Sequence, residues 1–257
     1  MTTPIPPSEN PTMPPRNLLP TIFSSLSRTP SSTSPTRWTL LRTLKSENTN
    51  DMQGDLHGTA TFTPLRSHRL DQTTQINTHE TETEGSGNGN GYTDLLYSEE
   101  GSLPQSFGPG LRWTKKYIWR LSANGRISVW FVKIDKNQKS SADGQVPDEE
   151  EADYLFHEFD FVSSSSSDST ATSEVKSESG EEFVTPPVPP EVGSDSGLQT
   201  KIVAARGNHL CIKDMYRTAY AFRVAEGSGE VLSWASRHVV KGPKKGQDIV
   251  NLYSRAM

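Results

Sequence analysis

The chain has 257 residues, of which 32% are apolar, with a formal charge of -5 and a mean hydropathy of -0.65. That is too little apolar material for the full length to pack at usual density, so part of it lies outside any core. One cysteine, Cys211, excludes an internal disulfide framework and a multi-cysteine zinc site, and the mild acidity argues against general nucleic-acid affinity.

Residues 1–15, rich in Pro, Ser and Thr, read as a disordered N-terminus. "RNLLPTIFSSLSR" (16–28) reads as a short helix with Leu18, Leu19, Ile22, Phe23 and Leu26 on one side and Pro20 in its first turn. From there the period is two: "RWTLLRTL" (37–44), "GTATFTPL" (58–65), "TDLLYSEEGSL" (93–103), "KKYIWRLS" (115–122), "GRISVWFVKID" (125–135), "YLFHEFDFV" (154–162), "YRTAYAFRVA" (216–225), "EVLSWASRHVV" (230–240) and "QDIVNLYSR" (247–255) read as nine strands. "SANGR" (122–126) and "EGSGE" (226–230) are hairpin turns. Two insertions read as disordered: 66–91, ending in "GSGNGNG", and approximately 136–199, with "PDEEE", "SSSSSDSTATS" and "TPPVPPE". Residues 141–199 hold fifteen acids against the single base Lys176.

Short strands, hairpin turns and little helix predict an all-β fold. The expectation is one domain over 16–257, an antiparallel β-barrel of about eight to ten strands capped by the helix. No run reaches the roughly 18 to 20 apolar residues of a spanning helix, and no secretory signal opens the chain. The expected setting is therefore cytoplasmic or nuclear, with no nucleic-acid and no membrane partner. Residues 1–46 carry Glu9 against Arg16, Arg28, Arg37, Arg42 and Lys45, which leaves mitochondrial import as a secondary reading that the many prolines disfavour.

Alternation assigns faces. The odd set Leu155, His157, Phe159 and Phe161 points inward, as do Tyr216, Thr218, Tyr220, Phe222 and Val224. The following strand is ambiguous, and Trp234 favours Leu232, Trp234, Ser236, His238 and Val240 as its inner set. An interior holding His157, Tyr216, Tyr97, Glu99 and Arg120 is partly polar and needs partners. Those groups either pair with one another or orient a ligand. The candidate binding set is thus His157, His209, Tyr216, Tyr220, Trp119, Arg120, Tyr97, Glu99 and Trp234. His209 and Cys211, at i and i+2, fall short of a zinc ligand set even with His157, so no metal is assigned. The cofactor, any catalytic residue and the oligomeric state stay unassigned. Lys241, Lys244 and Lys245 around a Gly-Pro bend are either solvated or meet an anion.

Three functions follow. The first is a barrel binding a small, partly apolar or anionic ligand. The second is an enzyme on the same barrel using His157 or His209 as acid, base or haem ligand. The third is a structural barrel whose Pro-rich and Ser-rich acidic insertion recruits partners.

The order "RWTLLRTL", "GTATFTPL", "LLYSEEG", "KYIWRL", "ISVWFVK", "YLFHEFDF", "GNHLCIKDMY", "VVKGPKK", "VNLYSR" resembles an uncharacterised family of fungi and actinobacteria, domain of unknown function 6314 (DUF6314). The likeness runs from about residue 16 to the C-terminus. Its most specific pieces are Phe156 with His157; His209, Cys211, Asp214 and Tyr216; and Gly242, Pro243, Lys244 and Lys245. The resemblance implies a calycin or lipocalin-like barrel and carries no activity. Gly246, Gln247 and Asp248 depart from its pattern after "GPKK", where the loop reads one residue longer.

Overall fold

The computed structural model describes residues 18–28, 35–65, 93–134, 150–162, 175–176, 182–193 and 198–256. The expected disordered N-terminus (1–15), the 66–91 insertion and much of 136–199 lie outside the described residues. Helix α1 (Leu18–Ser27) precedes β1 (Arg37–Ser46), β2 (Gly54–Pro64), β3 (Thr93–Ser102), β4 (Arg112–Leu121), β5 (Ile127–Val132) and β6 (Ala152–Phe161). A two-stranded hairpin, β7 (Val175–Lys176) with β8 (Glu182–Phe183), separates these from β9 (Thr200–Cys211), β10 (Asp214–Ala225), β11 (Val231–Gly242) and β12 (Lys245–Arg255). Ten strands close in the order β1-β12-β11-β10-β9-β6-β5-β4-β3-β2, every pair antiparallel. The expected all-β barrel is the fold.

The nine strands read from alternation are all in the wall, and the tenth is β9. Its stretch Ala204-Ala205-Arg206-Gly207-Asn208 lacks β-branched and aromatic residues, so neither propensity nor alternation marks it. The small residues have a packing reason. A Cβ at Gly207 would collide with the Glu158 carbonyl of β6, so glycine permits the close approach at this seam. On the outer surface Ala204, Ala221 and Ala235 lie side by side across β9, β10 and β11.

The segment 182–193 runs over that outer surface as a strap. Arg223 donates to the carbonyls of Pro190 (3.2 Å) and Pro189 (3.3 Å) and to Glu191 (2.7 Å), and Ser233 donates to the Pro190 carbonyl (2.5 Å). Arg217 pairs with Glu182 at 3.2 Å, and the Arg206 guanidinium sits 4.0 Å from the Phe183 ring centre. This strap lies within the approximate insertion 136–199, in which the sequence itself already reads 154–162 as a strand. β6 belongs to the wall, and the prolines of "TPPVPPE", which lack N–H donors, are held through their carbonyls.

Helix α1 plugs one end. Ile22, Phe23 and Leu26 are buried at its inner side, each burial contributing about 1.5–3 kcal/mol. Trp38 Nε1 donates to the Leu26 carbonyl (3.0 Å), and the Val231 amide donates to Ser25 Oγ (3.0 Å), tying the helix end to the wall. Gly125 and Gly229, at φ of 86° and 71°, make the tight turns where Leu19 and Leu18 approach. Beyond the plug the interior is an aromatic core in which Phe62, Trp119, Phe159, Phe222 and Trp234 contact one another edge-on or stacked.

Candidate functional site

Between that core and the end of the barrel opposite α1 lies a cavity of about 190 Å³. Its walls are Tyr97, Tyr117, Trp119, Phe156, Tyr216, Tyr220 and Trp234, and its polar groups come from Arg42, Glu99, Lys115, His157, Ser236, His238, Asn251 and Tyr253. Alternation delivers most of them: Trp38, Leu40 and Arg42 share the inner face of β1, and Asn251 and Tyr253 that of β12.

β6 breaks the alternation. Val129 pairs with His157 while Trp130 pairs with Leu155, so Phe156 is the extra residue of a bulge. Phe156 and His157 both reach the cavity, and Leu155 is turned outward. The expected odd inner set therefore holds for His157, Phe159 and Phe161 and fails at Leu155, since alternation cannot register an inserted residue.

An ion pair is the electrostatic centre. The Arg42 guanidinium donates to both Glu99 oxygens at 2.9 and 2.8 Å, with side chains 8% and 1% exposed. Burial works against the Arg42 charge, but Glu99, then Tyr253 and Tyr97, raise its pKa overall. The Trp113 ring lies 5.1 Å from the guanidinium. Gly58 and Gly101, paired across β2 and β3, leave room for that indole; a Cβ at Gly101 would come within 2.6 Å of it. Tyr97 donates to Glu99 and meets the Tyr253 hydroxyl at 2.9 Å. Burial pushes both phenols up, as it does Tyr220, and it raises Tyr117 to about 12.

From the ion pair the hydrogen bonds run in one direction. Arg42 can only donate, so Asn251 Oδ1 accepts at 2.6 Å and its amide donates to Ser236 Oγ at 2.9 Å. His238 Nε2 lies 3.2 Å from Ser236 Oγ. His157 Nε2 meets the Tyr220 hydroxyl at 2.6 Å. His157 Nδ1, His238 Nδ1 and Trp234 Nε1 are buried without a hydrogen-bond partner. Desolvation, followed at His157 by His238 and His209 and at His238 by Arg42 and Lys115, holds both imidazoles neutral: His157 lies well below the usual range and His238 is pushed down to about 3. At the mouth, desolvation and Arg42 lower the Lys115 ammonium.

Of the residues singled out from sequence, Tyr97, Glu99, Trp119, His157, Tyr216, Tyr220 and Trp234 converge on the cavity. Arg120 does not. It points outward, paired with Asp94 at 2.7 Å and lying over Trp130. His209 does not line the cavity and rests 6.5 Å from the Tyr216 ring. Cys211 is exposed, and among the described residues no group of three or more His, Cys, Asp or Glu is placed to hold a metal ion. Lys245 bridges Asp214 (2.8 Å) and the Tyr216 hydroxyl (3.0 Å), and a Cβ at Gly242 would collide with Asp214. The "GPKK" turn thus braces Tyr216. Arg42, Asn251 and Tyr253 were not singled out, although alternation in "RWTLLRTL" already put Arg42 in line with Trp38 and Leu40.

The family of unknown function DUF6314 matches residues 35–178 and 192–255. This chain belongs to that family. No curated protein and no solved structure matches it. In this DUF6314 chain the two matched stretches contain every residue that lines the cavity, while α1 and most of the strap fall outside them.

Proposed function

We propose that the barrel is a binding protein for a small planar, partly apolar molecule. The observation that carries this reading is the cavity itself, about 190 Å³ walled by Tyr97, Tyr117, Trp119, Phe156, Tyr216 and Tyr220 over a polar floor in which Arg42 and Glu99 are already paired. A concave site lined mainly by aromatic side chains with a few polar groups is the usual form of a small-molecule pocket. The aromatic walls suit a flat ring. Arg42 and Glu99 cancel each other, so Lys115 is the remaining charge among the described lining residues, which favours a neutral molecule or one with an anionic group towards the mouth.

The His157–Tyr220 hydrogen bond also favours binding over acid–base catalysis. Burial lowers the histidine and raises the tyrosine, so both stay neutral, whereas a general acid or base works best with a pKa near the operating pH. The test is isothermal titration calorimetry with a panel of planar aromatic carbonyl compounds. A fitting ligand binds with a negative heat-capacity change. Tyr117→Ala, which removes one aromatic wall and leaves the hydrogen-bonded floor intact, weakens it about five-fold. Binding that ignores both Tyr117→Ala and Phe156→Ala would sink the assignment of this cavity.

A further inference from the structure

Nine large apolar side chains are exposed among the described residues, and six of them, Phe107, Leu111, Ile134, Tyr154, Leu210 and Ile212, lie at the open end of the barrel. The densest group is on the turn joining β9 to β10. Ile212 forms its tip at 90% exposure and a φ of 57°, a left-handed conformation that is a genuine outlier for a β-branched residue. Leu210, 62% exposed, pairs with Met215, which pairs with Lys241, so the three adjoin on the outer face of β9, β10 and β11. The turn joining β11 to β12 stands next to this tip, with Gly242 packed against Asp214.

Charge completes the patch. Lys245 is paired with Asp214, but Lys213, Lys241 and Lys244 are exposed and have no carboxylate partner among the described residues. An apolar tip set among three unpaired lysines matches a surface that is anionic at its face and apolar just beneath, and a lipid headgroup layer has that profile.

We infer that the paired hairpin tips 210–215 and 241–245 dock this barrel, mouth first, on an anionic lipid surface, with Ile212 and Leu210 inserted and the lysines among the headgroups. No helix among the described residues is long and apolar enough to cross a membrane, so the contact is peripheral. It goes beyond the expectation of no membrane partner, which concerned spanning segments. Tyr216, four residues from the tip, lines the cavity, so the docked face is the face through which the cavity opens. The inference stands on the outer surface alone and does not depend on what the cavity holds.

Cys211 is the chain's one cysteine, is exposed, and adjoins the tip, which makes it a built-in labelling position. The experiment couples an environment-sensitive dye to Cys211 and adds vesicles of phosphatidylcholine alone or with one third phosphatidylserine, with co-sedimentation of unlabelled protein in parallel. The expected result is a blue shift and sedimentation with the anionic vesicles only, reduced about five-fold for each of Lys241→Gln and Lys244→Gln. Ile212→Gly suits the local φ, keeps the fold, and loses at least ten-fold in vesicle binding. Failure to bind either vesicle, or binding that Ile212→Gly leaves intact, overturns the proposal. Equal binding of soluble poly-glutamate by the wild type and Ile212→Gly also overturns it, and reassigns the patch to acidic proteins.

Discussion

Burial keeps the imidazoles of His157 and His238 uncharged, aided at His157 by the neighbouring histidines and at His238 by Arg42 and Lys115. In the unfolded chain each titrates near 6.5. Below that pH the unfolded state takes up protons that the folded state refuses, so the stability these groups contribute is intact above about 6.5 and is lost as the pH falls. The slope is about 1.4 kcal/mol per pH unit for each histidine. For His238 the window closes at its folded value of about 3. Urea midpoints measured between pH 6.5 and 5, where ordinary carboxylates contribute little, are expected to fall with acidification, and His238→Gln is expected to remove about half of the slope. An unchanged slope would place the proton uptake elsewhere. The same polar floor shows how far single residues were legible. Glu99 and Tyr97 were found because their strand alternates cleanly. Arg42 was passed over because its charge was read with the other N-terminal basic residues, while the cost of burying it is met by a partner 57 positions away that no local pattern points to.

At the scale of strands, the seam between β6 and β9 is where the wall is least regular. Only Asp160↔Arg206 and Phe161↔Ala205 pair there, and Gly207 marks where the strands press together before they diverge towards the mouth. Gly207→Ala drives a methyl into the Glu158 carbonyl, a backbone group that cannot swing aside, so β9 must shift away from β6. The expected outcome is destabilisation of about 2–3 kcal/mol by chemical denaturation, with faster hydrogen exchange along β6 and β9 than along β1 and β12. Wild-type exchange at this seam would show that β9 accommodates the methyl. This seam is also where sequence reading ended. Nine of the ten wall strands are legible as strands from alternation, although the inner face of β11 needs Trp234 to decide it and Arg120 on β4 turns outward. β6 was found but its face was mistaken at Leu155, because the bulge at Phe156 shifts the period without a glycine to signal it. β9 was missed because its small residues answer to the neighbouring strand and the strap, both distant in sequence.

The whole molecule is a cup: plugged by α1 at one end, polar-floored and open at the other, and strapped on the outside by 182–193. The strap bears on the idea that the proline-rich insertion recruits partners, because the carbonyls of Pro189 and Pro190 are already taken by Arg223 and Ser233. A partner that reads this segment must first lift it off the barrel. Arg223→Ala removes the contacts to Pro189, Pro190 and Glu191 together but leaves the β-ladders whole. Each hydrogen bond is worth about 1 kcal/mol net, so the population with the strap lifted is expected to rise at least ten-fold while the barrel's Tm moves by only a few degrees. Cleavage at Glu191 by a glutamate-specific protease reports that population when opening is fast relative to cleavage. Faster cleavage at an almost unchanged Tm identifies the strap as a separable layer that a partner can displace. If cleavage and Tm move together, the strap is part of the cooperative unit, and its prolines are committed to holding the outer face of β10 and β11.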